Sequence, residues 1–164
     1  MTVRALVVSD THLRSGADLP VALLPLLGLA DVVLHAGDIT AAGVLDRFAE
    51  FAPVHAVLGN NDAPYLGLLP ERRSVDLDGV AVGMVHDSGP VAGRAVRLRR
   101  WFPAADVVLF GHSHLPVVER VDGAPVLVNP GSPTQRRRAP THTVAWLSCA
   151  EAKVIGTEIV DLGP

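Results

Sequence analysis

Apolar residues come in short, nearly continuous runs: ALVV (5–8), DVVLH (31–35), VHAVLG (54–59) and DVVLFG (106–111). Runs of this length, with little alternation, fit strands buried on both faces of a sheet. The early runs are spaced widely enough for helices between them. Thr40 is placed to cap a helix over 41–51, where Val44, Leu45, Phe48 and Phe51 fall on one stripe. A further helix is expected over 90–102, with arginines at 94, 97, 99 and 100.

The second half has a different rhythm. Asp78-Gly79 separates RRSVDL from VAVGMVH, and Asp122-Gly123 separates VVERV from APVLVN. Both pairs suit hairpin turns, because glycine accepts the positive φ such turns require. A third antiparallel pair is expected from Thr143–Ser148 to Lys153–Asp161. Units of the βαβ type followed by hairpins predict an α/β fold of mixed sheets with helices outside.

Composition narrows the class. A chain of 164 residues is expected to form a single domain over 1–164. With 49% hydrophobic and 19% charged residues, it does not read as disordered. A net charge of −3 gives no general attraction to nucleic acid or membrane. The apolar stretch Leu19 to Ala30 carries two prolines and falls short of the ~20 residues of a membrane helix. Burial against a sheet is its simpler reading, and an exposed partner surface is the alternative. Cys149 is the one cysteine, so no internal disulfide forms. No signal peptide precedes the first strand, and a cytoplasmic protein is expected.

The residues just past each strand are more telling. After ALVVS comes Asp10-Thr-His12; after VVLHA, Gly37-Asp38; after VHAVL, Gly59-Asn60-Asn61-Asp62; after VAVGMV, His86-Asp87; after VVLF, Gly111-His112-Ser-His114. Ligands of open α/β sheets bind at the carboxyl ends of strands, so five such ends can converge. Two carboxylates, one amide and four imidazoles, without thiolate, suit Mn²⁺, Fe, Zn²⁺, Co²⁺ or Ni²⁺ better than Ca²⁺ or Mg²⁺ alone. Seven groups exceed one tetrahedral site and fit two ions if a carboxylate bridges. Such a pair, ~3.5–4 Å apart, can clamp a phosphoryl group during in-line attack.

The ordered set D-x-H, G-D, G-N-x-D, H and G-H-x-H resembles the calcineurin-like metallophosphoesterases. Asn129-Pro-Gly-Ser132 is similar to an element of their small prokaryotic phosphodiesterase branch. The resemblance implies a four-layer αββα sandwich with two mixed β-sheets. It implies that Asp10, His12, Asp38 and His114 hold one metal, and Asp38, Asn60, His86 and His112 the other, with Asp38 bridging. Asn60 and His86 are then both ligands and catalytic residues. The implied cofactors are two divalent metal ions, Mn²⁺ first, with Fe, Zn²⁺, Ni²⁺ or Co²⁺ as alternatives. The implied reaction is attack on a phosphate diester by a hydroxide bridging the metals.

Asp62, Asp87 and His35 are expected behind the ligands. Asp62 reads as an orienting carboxylate, Asp87 as a turn former or proton-transfer group, and His35 as a supporting or core histidine. Asn61 stands where many larger relatives carry a histidine that helps the leaving group depart, which places it beside substrate. His86-Asp87-Ser88 replaces the His-Gly-His often found in the small branch. His55 and His142 receive no role. Arg136-Arg137-Arg138 could meet a phosphate, though a solvated charge run is the simpler reading. With 4% aromatic residues, a nucleic-acid partner is not expected. The expected partner is a small phosphodiester substrate, with no membrane; a homo-oligomer is compatible with the sequence. A phosphomonoesterase, or a non-catalytic scaffold resembling the retromer subunit of this fold, are the alternatives.

Overall fold

The computed structural model describes residues 1–164. Its strands are β1 (Val3–Val8), β2 (Val32–His35), β3 (Val54–Ala56), β4 (Arg72–Leu77), β5 (Val80–Val85), β6 (Val107–Leu109), β7 (Val117–Glu119), β8 (Val126–Asn129), β9 (His142–Ala150) and β10 (Lys153–Gly163). They form two five-stranded sheets, ordered β10-β9-β1-β2-β3 and β4-β5-β6-β8-β7. In the first, β1, β2 and β3 run parallel while β9 and β10 pair antiparallel. In the second, β5, β6 and β8 are parallel and the edges β4 and β7 antiparallel. Both sheets are therefore mixed.

The period of two along each strand sorts side chains into layers. Ala5, Val7, Leu34 and Leu147 of the first sheet meet Val82, Met84, Val107, Leu109 and Val128 of the second in one buried cluster. Their neighbours Leu6, Val8, Val33 and Trp146 face outward onto Leu23, Leu27, Val44 and Phe48. These come from the segment 19–30 and from helices α1 (Leu24–Leu27) and α2 (Val44–Ala49). Val108, Phe110 and Leu127 likewise pack on Leu98 and Phe102, in and beside α3 (Arg94–Trp101). Helix, sheet, sheet, helix is the αββα sandwich. The stretch 19–30 is buried through Leu19, Leu23 and Leu27, leaving Val21 and Leu29 exposed. No helix is long and apolar enough to cross a membrane.

Three expectations shift in detail. The helix expected over 41–51 is only Val44–Ala49, because Thr40 is not its cap. The Thr40 hydroxyl donates to the Leu13 carbonyl at 2.7 Å, and Gly43 (φ 80°) begins the helix instead. The helix expected over 90–102 starts at Arg94. Arg97 reaches back to the carbonyls of Ser88, Pro90 and Ala92, which wraps that loop around its guanidinium outside the helix. The Asp122-Gly123 hairpin pairs only as far as Glu119 with Leu127, so its connection is wider than a two-residue turn.

The β9–β10 turn uses two residues that do not favour it. Glu151 (φ 50°) and Ala152 (φ 56°) both sit in the left-handed region, where an L-residue costs roughly 1–2 kcal/mol. They stay there partly because the Asp78 carboxylate and carbonyl accept their N–H groups at 3.0 and 2.9 Å. The double change Glu151→Asn, Ala152→Gly supplies the residues such turns prefer. We predict about 1 kcal/mol of added stability, read as a higher urea midpoint with unchanged slope. A lowered midpoint would contradict this account of the turn.

Candidate metal centre

Five strand ends meet at one edge of the sandwich because their loops bond to one another. Asp10 N–H donates to the Gly37 carbonyl at 2.9 Å, His12 N–H to that of Asp38 at 3.0 Å, and Gly111 N–H to that of His86 at 2.9 Å. Those bonds run within each sheet; the two sheets are stitched at the site by His112 N–H donating to Asp10 Oδ2 at 3.0 Å and His86 Nδ1 donating to the Ala36 carbonyl at 2.7 Å. Close approach requires glycine here. A Cβ on Gly59 would overlap Asp38, and one on Gly111 would overlap Ser9 and Asp10.

The convergence carries backbone strain. Asp10, His12, Asp38, His112 and His114 all have positive φ, between 43° and 69°. At ~1 kcal/mol each, this is on the order of 5 kcal/mol held by the surrounding contacts.

The polar atoms gather in two sub-clusters, Asp10 with His12 and His114, and Asp10 with Asp38 and His86. Asp38 faces both ways. Its Oδ2 lies 3.4 Å from His12 Nε2 and its Oδ1 3.4 Å from His86 Nε2. Asn60 Oδ1 lies 3.1 Å from His86 Nε2 and 3.2 Å from His112 Nδ1. All seven residues expected as ligands come together. Asp10 is more central than the resemblance implied. Its Oδ1 is 3.3 Å from His114 Nε2 and 3.9 Å from both His12 Nε2 and His86 Nε2.

Hydrogen bonding decides which atoms remain free. Asp10 Oδ2 accepts from the Ser9 hydroxyl at 2.8 Å and from His112 N–H at 3.0 Å. Asp10 Oδ1, fully buried, has no hydrogen-bond partner. His86 Nδ1 lies 2.7 Å from the Ala36 carbonyl, and His114 Nδ1 contacts the Gln135 carbonyl. A carbonyl only accepts, so both Nδ1 atoms carry the proton and both Nε2 atoms present lone pairs inward. His114 Nε2 sits 3.3 Å from His12 Nε2. A lone pair aimed from His114 Nε2 at the orphaned Asp10 Oδ1, 3.3 Å away, is costly in a buried place unless positive charge lies between them. The oxygen and nitrogen donor set fits divalent cations.

The clustered charges also shift one another's protonation. Burial alone would raise the Asp38 carboxyl, but His86 and Asn61 outweigh it and hold it well below the usual carboxylate range. Burial lowers His86, yet its bond to Asp38 and the charges of Asp10 and Asp38 raise it overall. His12 is lowered, chiefly by burial, against the pull of Asp38 and Asp10, with His114 and Arg137 adding to the drop.

The residues behind the ligands fall into place one by one. Asp62 is buried and accepts four backbone N–H groups: Asp38 at 3.0 Å, Ile39 at 2.6 Å, Thr40 at 2.8 Å and Gly59 at 2.7 Å. Its carboxylate has no room for a metal. Asp87 is exposed and accepts from Gly89 N–H at 2.7 Å, forming a turn. His35 Nδ1 accepts from Gly37 N–H at 3.2 Å, which puts the proton on Nε2, 3.0 Å from the Thr11 hydroxyl. It thereby braces two ligand loops from the core. Asn61, expected beside substrate, turns its amide to Asp38 Oδ2 at 2.8 Å, and its N–H to Oδ1 at 3.0 Å. His55 lies near Arg73 at 3.4 Å, away from the cluster.

Support also comes from residues without an expected role. Ser132 donates its hydroxyl to the Asp10 carbonyl at 2.7 Å, and Thr134 donates to that of Thr11 at 2.5 Å. Asn129 donates to the Gly111 carbonyl at 3.0 Å and the Ser113 hydroxyl at 3.1 Å. The loop after β8 thus clamps the first and last ligand loops. Its only signal in the sequence is the Asn-Pro-Gly-Ser run, which carries no metal-binding chemistry.

Two outcomes are expected of chelator-treated protein. Asp62→Asn keeps the shape but turns an amide NH₂ toward backbone donors; it should cost about 3 kcal/mol in urea unfolding, and a loss below about 1 kcal/mol would contradict the anchoring role. Burial pushes His35 down to about 4 from an ordinary 6.5. Below pH 6.5 the unfolded chain takes up a proton that the folded one refuses. Stability should therefore be full above about pH 6.5 and fall by up to ~3 kcal/mol toward pH 4. His35→Asn should flatten that limb, and an unchanged slope would contradict it.

Comparison with known proteins agrees with this geometry. The calcineurin-like phosphoesterase superfamily domain matches residues 3–152. A probable metallophosphoesterase of Methanothermobacter thermautotrophicus is 35% identical over 134 residues, covering 80% of this chain and 77% of the relative. Among solved structures, Vps29 of Chaetomium thermophilum aligns with TM-score 0.78 at 18% identity, over 96% of this chain and 97% of that one. A novel archaeal phosphodiesterase aligns with TM-score 0.72 at 21% identity, over 96% and 100%; at such identities both speak for the fold alone. The extent of the domain match and the identity to the curated relative place the chain in the calcineurin-like phosphoesterase superfamily.

Proposed function

We propose that the protein is a metal-dependent phosphodiesterase whose site takes two divalent cations, Mn²⁺ foremost, and a small phosphodiester substrate. The observation that carries this reading is the position of Asp38, with one oxygen toward His12 and the other toward His86. Asp10, His12, His114 and Asp38 Oδ2 would hold one cation; Asp38 Oδ1, Asn60, His86 and His112 the other. Bound there, divalent cations lower the pKa of water from ~16 toward ~7 and offset charge on phosphoryl oxygens.

The chain's own residues set the terms. The Ala36 and Gln135 carbonyls keep the His86 and His114 Nε2 lone pairs available. Asn61 fixes the plane of Asp38, so that both its oxygens keep their directions. A neutral amide at this position donates no proton to a departing alkoxide. Esters whose leaving oxygen is stable as an anion are therefore favoured. Arg137, whose charge helps lower His12, is exposed. A singly charged diester asks for less cationic help than a doubly charged monoester, which supports the diester reading over a phosphomonoesterase. The likeness to Vps29 supports a scaffold only at the level of fold.

The test compares bis-p-nitrophenyl phosphate with p-nitrophenyl phosphate after chelation and reloading with Mn²⁺. Restored hydrolysis favouring the diester is expected; hydrolysis of the monoester alone would replace the reading with a phosphatase. Asp38→Asn should lose bound metal and at least ~100-fold in activity while still folding. Full activity with normal metal content in that variant would refute the bridging assignment.

A further inference from the structure

A cleft of about 410 Å³ opens beside the Asn60, His86 and His112 side of the cluster. Its size lies within the ~300–1,000 Å³ of small-molecule sites. The far wall comes from parts that phosphoryl chemistry does not require: Leu66 from the loop after β3, Glu71 and Arg72 at the start of β4, and Trp101 at the end of α3. The Arg72 guanidinium lies over the Trp101 ring, 3.9 Å from its centroid. Two planar groups are thus stacked in the wall. Leu66 is 67% exposed, an apolar side chain left to water at the mouth of the cleft.

We propose that this cleft receives one ester substituent of the substrate, a planar heterocycle of the nucleobase class. The substrate assignment rests on the phosphodiesterase reading; the binding does not. An acyl chain laid here would strip water from Glu71, Arg72 and Asp87 without replacing their hydrogen bonds. A bare phosphate or sugar would leave Leu66 uncovered. A ring with an apolar face and N–H groups on its edge meets both demands. Its face covers the leucine and the Arg72–Trp101 pair, and its edge donates to the Glu71 carboxylate. The cleft joins the cluster through three ligand residues, so a base held there remains attached to a phosphate beside the metal centre.

The test measures binding of AMP and of ribose 5-phosphate, which share a phosphate and sugar and differ in the base. Binding to the Mn²⁺-loaded protein is followed by calorimetry and tryptophan fluorescence. AMP should bind about tenfold tighter and change the emission of Trp101. Leu66→Ser, at an exposed position, and Trp101→Ala should each bring the two affinities within about threefold. Equal affinities in the unsubstituted protein, or a preference that survives in both variants, would overturn the proposal. Hydrolysis of bis-p-nitrophenyl phosphate by the same preparations separates the two readings. Base preference without turnover keeps the cleft and removes the diesterase; turnover without base preference does the reverse.

Discussion

The gathering of buried carboxylate and imidazole atoms around Asp10 and Asp38 is the constraint on which the rest of the site depends. Asp10 Oδ1 has no hydrogen-bond partner, and three imidazole Nε2 atoms lie within 3.9 Å of it. Two of those imidazoles are locked by carbonyls into the tautomer that aims a lone pair inward. Such an arrangement is stabilised by positive charge placed between the carboxylate and the imidazoles. Chain features nearby accompany it: loops bonded across two sheets, glycines where a Cβ would collide, and five candidate ligands held at positive φ.

Holding that arrangement requires anchors that never touch a metal. Asp62 collects four backbone N–H groups from two ligand loops. Ser132 and Thr134 fasten a third loop, while His35 braces the second from the core. Each anchor is a charged or buried hydrogen bond, the kind whose loss is expensive. The folding energy of the sandwich is thereby coupled to the geometry of its strained edge.

The fold was legible because its strands are continuous apolar runs and two of its turns are Asp-Gly. The residues of the cluster were legible because Asp, Asn and His recur at strand ends, where core packing gives no reason for them. What hid from the sequence was anything set by three-dimensional pairing. Thr40 reads as a helix cap but is used by Leu13 across a loop. Asn61 reads as a substrate contact, yet its amide faces Asp38. The part of Asn129, Ser132 and Thr134 depends on contacts more than a hundred residues away for the last two. Trp101 and Arg72 stack although 29 positions separate them, and no local pattern announces it.

The central claim is that Asp38 joins two cations in one centre. Electron paramagnetic resonance during titration of the chelated protein with Mn²⁺ addresses it most directly. The account predicts two ions bound per chain, with the six-line signal of isolated Mn²⁺ giving way to a broadened, exchange-coupled spectrum as the second ion binds. An isolated six-line signal that persists at saturation, or binding of a single ion, would contradict it.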